Sequence, residues 1–293
     1  GRSPPRGQCS YGAHRIGLNL LTLSPMRVRG DVSYDGSPFH GFAANDGVPT
    51  VAGLLNDGLS RVLQVKVTVS CAGRTDRGVH AAGQVISFDL PDNLTVDWRS
   101  DSGEVTGRLE SIRHSLNRQV GPSVVVTSLA VADDDFDARF SAIGRTYRYR
   151  ILDRPDSDPF ITSRAWHVPE ALDLEAMETA AAYLVGEHDF SSFCRRPSPI
   201  SDGSKVSLVR RVTSASFRRV VDGLSCVELL EFEVSATAFC HQMVRSIVGT
   251  LVAVGRGRIP ASAIPNVLAA CDRQVAGEPA PPQGLTFWSV EYA

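Results

Sequence analysis

The first half of the chain contains extended runs and one segment with helical spacing. Apolar and polar residues alternate over residues 26–34 and 65–70, and a third extended run follows over residues 83–88. Such runs predict strands. Thr50 is placed to cap a helix, because a threonine hydroxyl can accept a hydrogen bond from a free amide of the first turn. The apolar residues of that helix are Val51, Leu54, Leu55, Leu59, Val62 and Leu63.

The middle of the chain combines a polar stretch with two apolar segments. Residues 100–107 are polar and predict an exposed loop, and residues 109–116 predict a helix. The continuous apolar run over residues 124–131 predicts a buried strand.

The second half repeats the alternation of strands and helices. Residues 145–151 predict a strand, and Asp173 is placed to cap a helix that Gly186 would end. Residues 210–220 and 224–236 predict two long strands joined by a hairpin turn. A further helix and a last strand over 285–292 complete the pattern. The apolar stripe of that helix is Phe239, Met243, Ile247, Leu251 and Val254.

Two successive sets of strands and helices imply an α+β protein built from two α/β halves. We place the boundary near residue 139, so the halves comprise residues 26–138 and 139–293. Residues 1–25 are rich in Pro, Gly, Ser and Arg. They predict a flexible N-terminal extension without catalytic content.

Composition narrows the class of protein. The 293 residues are 43% hydrophobic, which is enough for one large core or two smaller ones. No apolar run approaches the roughly 20 residues of a membrane span. The six cysteines show neither metal-binding spacing nor disulfide density, which suits a reducing compartment and predicts a cytoplasmic location. Because the formal net charge is -2, contact with nucleic acid would depend on local clusters of arginine.

Candidate chemistry is concentrated in residues 71–88, CAGRTDRGVHAAGQVISF. Asp76 lies between Arg74 and Arg77 at the point where the predicted strand over 65–70 has ended. A carboxylate between two guanidinium groups is expected to stay ionised at neutral pH. These residues alone leave two interpretations open, a catalytic carboxylate and an aspartate that caps a turn.

The same segment resembles the AGRTDxGVHAxGQV signature of the tRNA pseudouridine synthases that modify the anticodon stem-loop. Further blocks agree in the same order, and the resemblance spans about residues 26–292. These blocks are residues 34–36 with 39–42, 136–142 with 145–149, 186–193, 239–249 and 284–285. The resemblance implies one long mixed, mainly antiparallel sheet with helices on one face and a cleft between the halves. It also implies action on tRNA uridines at positions 38, 39 and 40, without a cofactor or metal.

The resemblance further implies roles for five residues. Asp76 corresponds to the catalytic aspartate, acting as nucleophile or base, and Arg74 to the residue that holds the gap left by a flipped base. Tyr147 corresponds to the tyrosine that stacks on the target base, and Leu285 to the apolar residue packed beneath it. Arg245 corresponds to the arginine that pairs with the aspartate. Taken alone, Tyr147 and Leu285 would be core residues and Arg245 an exposed helix arginine.

The expected partner is tRNA, bound through clustered arginines, and no membrane contact is expected. A homodimer is expected as well, because a cleft within one chain is too small to hold an L-shaped tRNA and relatives use two subunits. The arginines predicted to contact RNA are Arg77, Arg145, Arg148, Arg195, Arg196, Arg210 and Arg211. At Arg77 the chain departs from relatives that carry a small residue there, which adds positive charge at the mouth of the cleft.

Two functions of other classes remain as alternatives. One is an RNA-binding module without activity, which the complete set of Arg74, Asp76, Tyr147 and Arg245 argues against. The other is a metal-dependent hydrolase that uses Asp76 and His80. No second carboxylate accompanies that pair, so we interpret His80 and Gln84 as residues that support the loop.

Overall fold

A computed structural model describes residues 25–95, 102–196 and 206–293. The predicted extension therefore lies outside the described residues, apart from residue 25. The elements of the first half, in chain order, are β1 (Met26–Tyr34), α1 (Val51–Leu63), β2 (Ser70–Cys71), β3 (His80–Leu90), α2 (Asp92–Thr95), α3 (Ser102–Val120) and β4 (Val124–Val131).

The second half is richer in long strands. Its elements are β5 (Ala142–Asp153), β6 (Trp166–Val168), α4 (Leu174–Ala182), β7 (Gly186–Asp189), β8 (Val209–Val221), β9 (Glu228–Ala236), α5 (Met243–Gly255), α6 (Ile264–Ala270) and β10 (Leu285–Tyr292). Short 3-10 turns lie at Ala261–Ala263, Arg273–Val275 and Pro282–Gly284.

One ten-stranded sheet runs through both halves. Its main path is β4, β1, β3, β10, β5, β9, β8, β7, while β2 pairs with β3 and β6 pairs with β5. Within the described chain, only the β10–β3 and β5–β6 pairs are parallel. The last strand joins the halves, because β10 pairs with β3 on one side and with β5 on the other. The predicted mixed, mainly antiparallel sheet and α+β class are confirmed.

Several predicted elements have the bounds expected from their periodicity. The strands over residues 26–34, 124–131 and 285–292 coincide with β1, β4 and β10. Thr50 caps α1, since its Oγ1 accepts a hydrogen bond from the amide of Gly53 at 3.2 Å. Strands β8 and β9 form the predicted antiparallel hairpin.

The predicted loop over residues 100–107 is wrong from Ser102 onward, where α3 begins, and residues 100–101 lie outside the described residues. The buried side chains of α3 recur at helical spacing and contribute to the core. They are Val105, Leu109, Ile112, Leu116 and Val120. Val105 lies in the polar stretch and is buried in the core, which the polar residues around it did not indicate.

Four other features differ from the prediction. The alternating run over residues 65–70 is paired only at its end, where β2 comprises two residues. The run over residues 124–131 is only partly buried, because β4 lies at the edge of the sheet. Helix α5 begins at Met243, so Phe239 precedes it. Helix α4 ends at Ala182, and Gly186 begins β7 with a positive φ of 115°.

The main core extends through both halves. One continuous cluster includes Leu55 and Leu59 of α1, Tyr149 of β5 and Phe287 of β10. The boundary near residue 139 stays a prediction. Among the described residues, none of the helices has the length and apolar character needed to cross a membrane.

Candidate active site

The loop between β2 and β3 carries Asp76 and is held at both sides by buried polar groups. The amide of the fully buried Gln84 donates to the carbonyl of Gly73 at 2.7 Å, and its oxygen accepts from the amide of Gly73 at 3.3 Å. The hydroxyls of Tyr34 and Thr75 are hydrogen bonded at 2.8 Å. A buried amide and hydroxyl satisfied in this way keep the loop in one conformation.

Two glycines allow other parts of the chain to approach this loop closely. A Cβ atom at Gly73 would lie 2.9 Å from the ring of Phe287. Gly41 has a positive φ of 101°, and a Cβ atom there would lie 2.8 Å from the carbonyl oxygen of Thr75. Any larger residue at either position would move the backbone that presents Asp76.

Asp76 has a separate cationic or potentially cationic partner for each carboxylate oxygen. Nη1 of Arg245 lies 3.4 Å from Oδ2, and Nε2 of His241 lies 3.3 Å from Oδ1. Nε of Arg245 also donates to the carbonyl of Ala280 at 2.7 Å, which fixes the guanidinium. Among the described residues, no backbone amide donates to the Asp76 carboxylate. The structure therefore does not show the turn-capping aspartate, and the predicted contact of Asp76 with Arg245 is present.

Tyr147 lies on β5 beside this loop, inside a small aromatic cluster. Its ring meets the rings of Phe239 and Phe287 edge to face, with centroids 5.0 and 4.9 Å apart. Burial raises the pKa of the Tyr147 phenol, and the nearby negative charge of Asp76 raises it further. The phenol is therefore neutral at physiological pH, and the ring offers an apolar surface with its edge held in place.

Leu285 is buried near the start of β10, but its strand partner is Tyr149. The residue of β10 that pairs with Tyr147 is Phe287, which also makes the ring contact. The role of Leu285 beneath Tyr147 stays a prediction, and Phe287 joins the site as a residue that the sequence analysis missed.

Arg74 and Arg77 are exposed on either side of Asp76. Within the described residues, neither guanidinium has a hydrogen bond or an ion pair. Their donors are therefore free for an incoming ligand.

Arg145 does not provide a free guanidinium for RNA, which corrects its predicted role. All five of its N–H donors are directed at backbone carbonyls, at distances of 2.6 to 3.3 Å. The acceptors are Ala72, Arg139, Ala142 and Thr237. A guanidinium with five satisfied donors has none left for a phosphate. Arg145 is a structural residue that ties β5 to the start of the Asp76 loop.

Arg148 is engaged by side chains on the other face of the sheet, and its predicted contact with RNA stays a prediction. It follows Tyr147 directly on a regular strand, so its side chain lies on the opposite face of the sheet. Its Nε donates to Glu233 at 2.6 Å and lies 3.7 Å from the buried Glu231. Its guanidinium also stacks 3.6 Å above the ring of Trp288. A pocket of about 410 Å³ on that face includes Arg148 and Trp288 but not Asp76.

Arg195 and Arg196 are exposed and line a pocket of about 310 Å³ with Arg273. This pocket adjoins the segment before α5, because the amide of Arg195 donates to the carbonyl of His241 at 3.0 Å. Arg273 donates to the side chain of Gln242 at 2.5 Å. The contact of Arg195 and Arg196 with RNA stays a prediction, and Arg273 extends this basic group.

Arg210 and Arg211 each have partners within the protein, and their contact with RNA stays a prediction. One nitrogen of Arg210 donates to the carbonyls of Ser207 and Val209, at 3.0 and 2.6 Å. Arg211 lies 3.9 Å from Glu187, and both side chains are exposed. Such an exposed pair contributes little stability and does not prevent contact with a ligand.

His80 is directed away from a shared metal site with Asp76. Its Nδ1 accepts from the amide of Gly36 at 3.1 Å and lies 3.1 Å from Asp35, while Nε2 contacts the carbonyl of Ser163 at 3.0 Å. Among the described residues, no three His, Cys, Asp or Glu side chains are grouped as metal ligands. These contacts agree with the predicted loop-supporting role of His80.

His241 is the main functional candidate that the sequence analysis missed. It precedes Arg245 by four residues, which is the spacing that places two side chains on one face of a helix. This four-residue spacing was the sequence signal that could have placed His241 beside Arg245. Because His241 lies just before the first residue of α5, the pattern alone did not indicate that its ring reaches Asp76.

Comparisons with known proteins give this site its context. A family described as tRNA pseudouridine synthase matches residues 180–293. Several relatives are called tRNA pseudouridine synthase A. One of them, from Brevibacillus brevis, is 41% identical to this chain, and the match covers 91% of this chain and 99% of the relative. A relative from Frankia casuarinae is also 41% identical, and the match covers 93% of this chain and 91% of the relative. A relative from Myxococcus xanthus is 38% identical, and the match covers 91% of this chain and 92% of the relative. At this identity over nearly the whole chain, the protein belongs to the tRNA pseudouridine synthase family.

Proposed function

We propose that this protein isomerises uridine to pseudouridine in the anticodon stem-loop of tRNA, at positions 38, 39 and 40, with Asp76 as the catalytic carboxylate. Family membership supports the isomerase activity. The observation that carries the residue assignment is the Asp76 carboxylate, held between Arg245 and His241 beside the ring of Tyr147.

The reaction needs one carboxylate close to the sugar and the base. The bond from C1′ to N1 breaks, the uracil turns, and a bond from C1′ to C5 forms, with no change in oxidation state. Asp76 serves this reaction either as a nucleophile or as a base that removes a proton from C2′. Both routes need an oriented carboxylate, which the contacts with Arg245 and His241 support.

A base in a stem must leave its stack before the enzyme can act on it, at a cost of a few kcal/mol. Two residues of the site suit this step. Arg74 is exposed beside Asp76 and free to occupy the gap in the RNA, and Tyr147 presents an aromatic ring on which the flipped base can stack. The neutral phenol suits stacking on uracil, because it adds no negative charge next to Asp76.

We also propose that the protein acts as a homodimer, since one chain of this size offers too short a surface to bind an anticodon arm and the body of the tRNA together. Sedimentation velocity at micromolar concentration should show a dimer. A single monomeric species at that concentration would remove this part of the proposal, without affecting the assignment of Asp76.

The central test replaces Asp76 by Asn, which keeps the size of the side chain and removes its charge. The Asp76→Asn protein should fold and bind unmodified tRNA, and it should form no pseudouridine when the product is mapped by position. Asp134→Asn, an exposed carboxylate after β4, is the matched control and should keep full activity. Pseudouridine formation by Asp76→Asn at a rate near that of the parent would refute the assignment.

The same experiment separates the two alternatives. An RNA-binding module would bind tRNA, and the parent protein itself would then yield no pseudouridine. A metal-dependent hydrolase would lose activity with EDTA and would cleave its substrate. The contacts of His80 with Gly36, Asp35 and Ser163 give that second alternative no support.

A further inference from the structure

The imidazole of His241 lies between the Asp76 carboxylate and solvent. Nε2 is 3.3 Å from Oδ1 of Asp76. The side chain of His241 is 49% exposed, whereas that of Asp76 is 23% exposed. The other carboxylate oxygen contacts Arg245, so His241 is the partner of Asp76 that also reaches water.

The backbone on both sides of the His241 side chain is fixed by hydrogen bonds. The carbonyl of His241 accepts a hydrogen bond from the amide of Arg195 at 3.0 Å. The next residue, Gln242, has a left-handed conformation with φ of 64°, and its side chain accepts from Arg273 at 2.5 Å. A non-glycine residue in this conformation is uncommon and requires such support from its surroundings.

The other groups near Asp76 cannot accept and release a proton at neutral pH. Arg245 keeps its charge throughout the accessible range. Burial raises the pKa of Tyr147, so the phenol keeps its proton. Imidazole is the side chain that changes its charge between pH 5 and 8. Among the described side chains in contact with the Asp76 carboxylate, only His241 can carry a proton to solvent.

We propose that His241 is a positioning and proton-relay residue, which carries to solvent the proton that C5 of the target uracil loses through Asp76. This inference rests on the proposed function. After the bond from C1′ to C5 has formed, the electron pair of the C5–H bond becomes part of the C5–C6 double bond. The proton passes to the Asp76 carboxylate, then to the imidazole and then to water. N1 gains one proton from solvent, so the reaction balances without an oxidant or a reductant.

The charged groups near His241 come from four segments, and most of them are positive. The loop after β2 carries one carboxylate and two arginines, α5 carries one arginine, the segment after β7 carries two arginines, and the segment after α6 carries one carboxylate and one arginine. These groups are Asp76, Arg74, Arg77, Arg245, Arg195, Arg196, Asp272 and Arg273. The Asp76 carboxylate can transfer a proton to the ring, and the surrounding positive charge favours its release to water.

The test compares His241→Gln and His241→Asn with the parent. Both amides can donate a hydrogen bond to Asp76, but neither can carry a proton at neutral pH. The single-turnover rate, measured by tritium release from 5-tritiated uridine in an anticodon-arm RNA, should fall about 10- to 100-fold. The Kd for the RNA should change less than about threefold, and the rate of the variants should lose its dependence on pH between 5 and 8. Added imidazole should partly restore the rate of His241→Ala.

Two controls make the outcome decisive. His114→Gln removes an exposed histidine on α3 and should leave the rate and its pH profile unchanged. Thermal melting of each variant should match that of the parent, because the His241 ring is half exposed. A parental rate and pH profile in His241→Gln would overturn the relay, and so would a loss confined to RNA affinity. If Asp76→Asn stays inactive in that case, the proposed function stands without the relay. If Asp76→Asn is active, the proposed function fails.

Discussion

Replacing Arg145 by Met separates a structural arginine from one that binds RNA. Met keeps much of the apolar stem and removes all five donors, so the carbonyls of Ala72, Arg139, Ala142 and Thr237 lose their partner. Two of these carbonyls are partly buried and two are exposed enough to regain water. We therefore expect the free energy of unfolding to fall by about 2 to 4 kcal/mol, which is less than the sum for five charged hydrogen bonds.

Differential scanning calorimetry measures this loss directly. A change of 1 kcal/mol shifts Tm by about 2 to 4 °C in a chain of 150 to 250 residues, and by less in a longer one, so we expect a decrease of about 4 to 10 °C. Activity should fall as well, because the Ala72 carbonyl lies at the start of the loop that carries Asp76.

The salt dependence of tRNA binding distinguishes Arg145, a structural residue, from Arg195 and Arg196, which are predicted to contact phosphate. Each lost phosphate contact lowers the slope of log affinity against log salt by about 0.7 to 0.9. Arg145→Met should leave this slope unchanged, while the double variant Arg195→Ala with Arg196→Ala should lower it by about 1.4 to 1.8. That double variant should keep the parental Tm, since both side chains are exposed. An Arg145→Met protein with a parental Tm and a reduced slope would refute the structural role.

Three further predictions follow from individual contacts. Arg245→Lys should lower the single-turnover rate about 10- to 100-fold, because one ammonium group cannot reach both Asp76 and the carbonyl of Ala280; a parental rate would contradict this. Ser246→Ala should leave the protein as stable as the parent or raise its unfolding free energy by about 1 kcal/mol, measured by urea denaturation, because the buried Ser246 hydroxyl has no hydrogen-bond partner among the described residues. Dialysis against EDTA should leave the rate of pseudouridine formation within about twofold of its starting value, since isomerisation by a carboxylate requires no Lewis acid, and a loss restored by a divalent cation would contradict this.

The sequence by itself determined the elements whose signals are local. Strands β1, β4 and β10 follow from runs of apolar residues, and the cap of α1 follows from Thr50, since periodicity and capping depend on residues a few positions apart. The resemblance of the 71–88 segment also directed attention to Asp76 before any contact was known.

Tertiary structure decided which arginine does what. On β5, Arg145 and Arg148 look alike in sequence, yet one binds four backbone carbonyls and the other forms ion pairs on the opposite face of the sheet. The partners of Asp76 were likewise beyond local pattern, because Arg245 is 169 residues away and His241 lies just before its helix. A hydrophobic or polar pattern in the sequence reports only on residues a few positions apart, so it cannot indicate contacts between distant segments. The charge balance at Asp76 depends on segments that meet only when β10 has brought the two halves together.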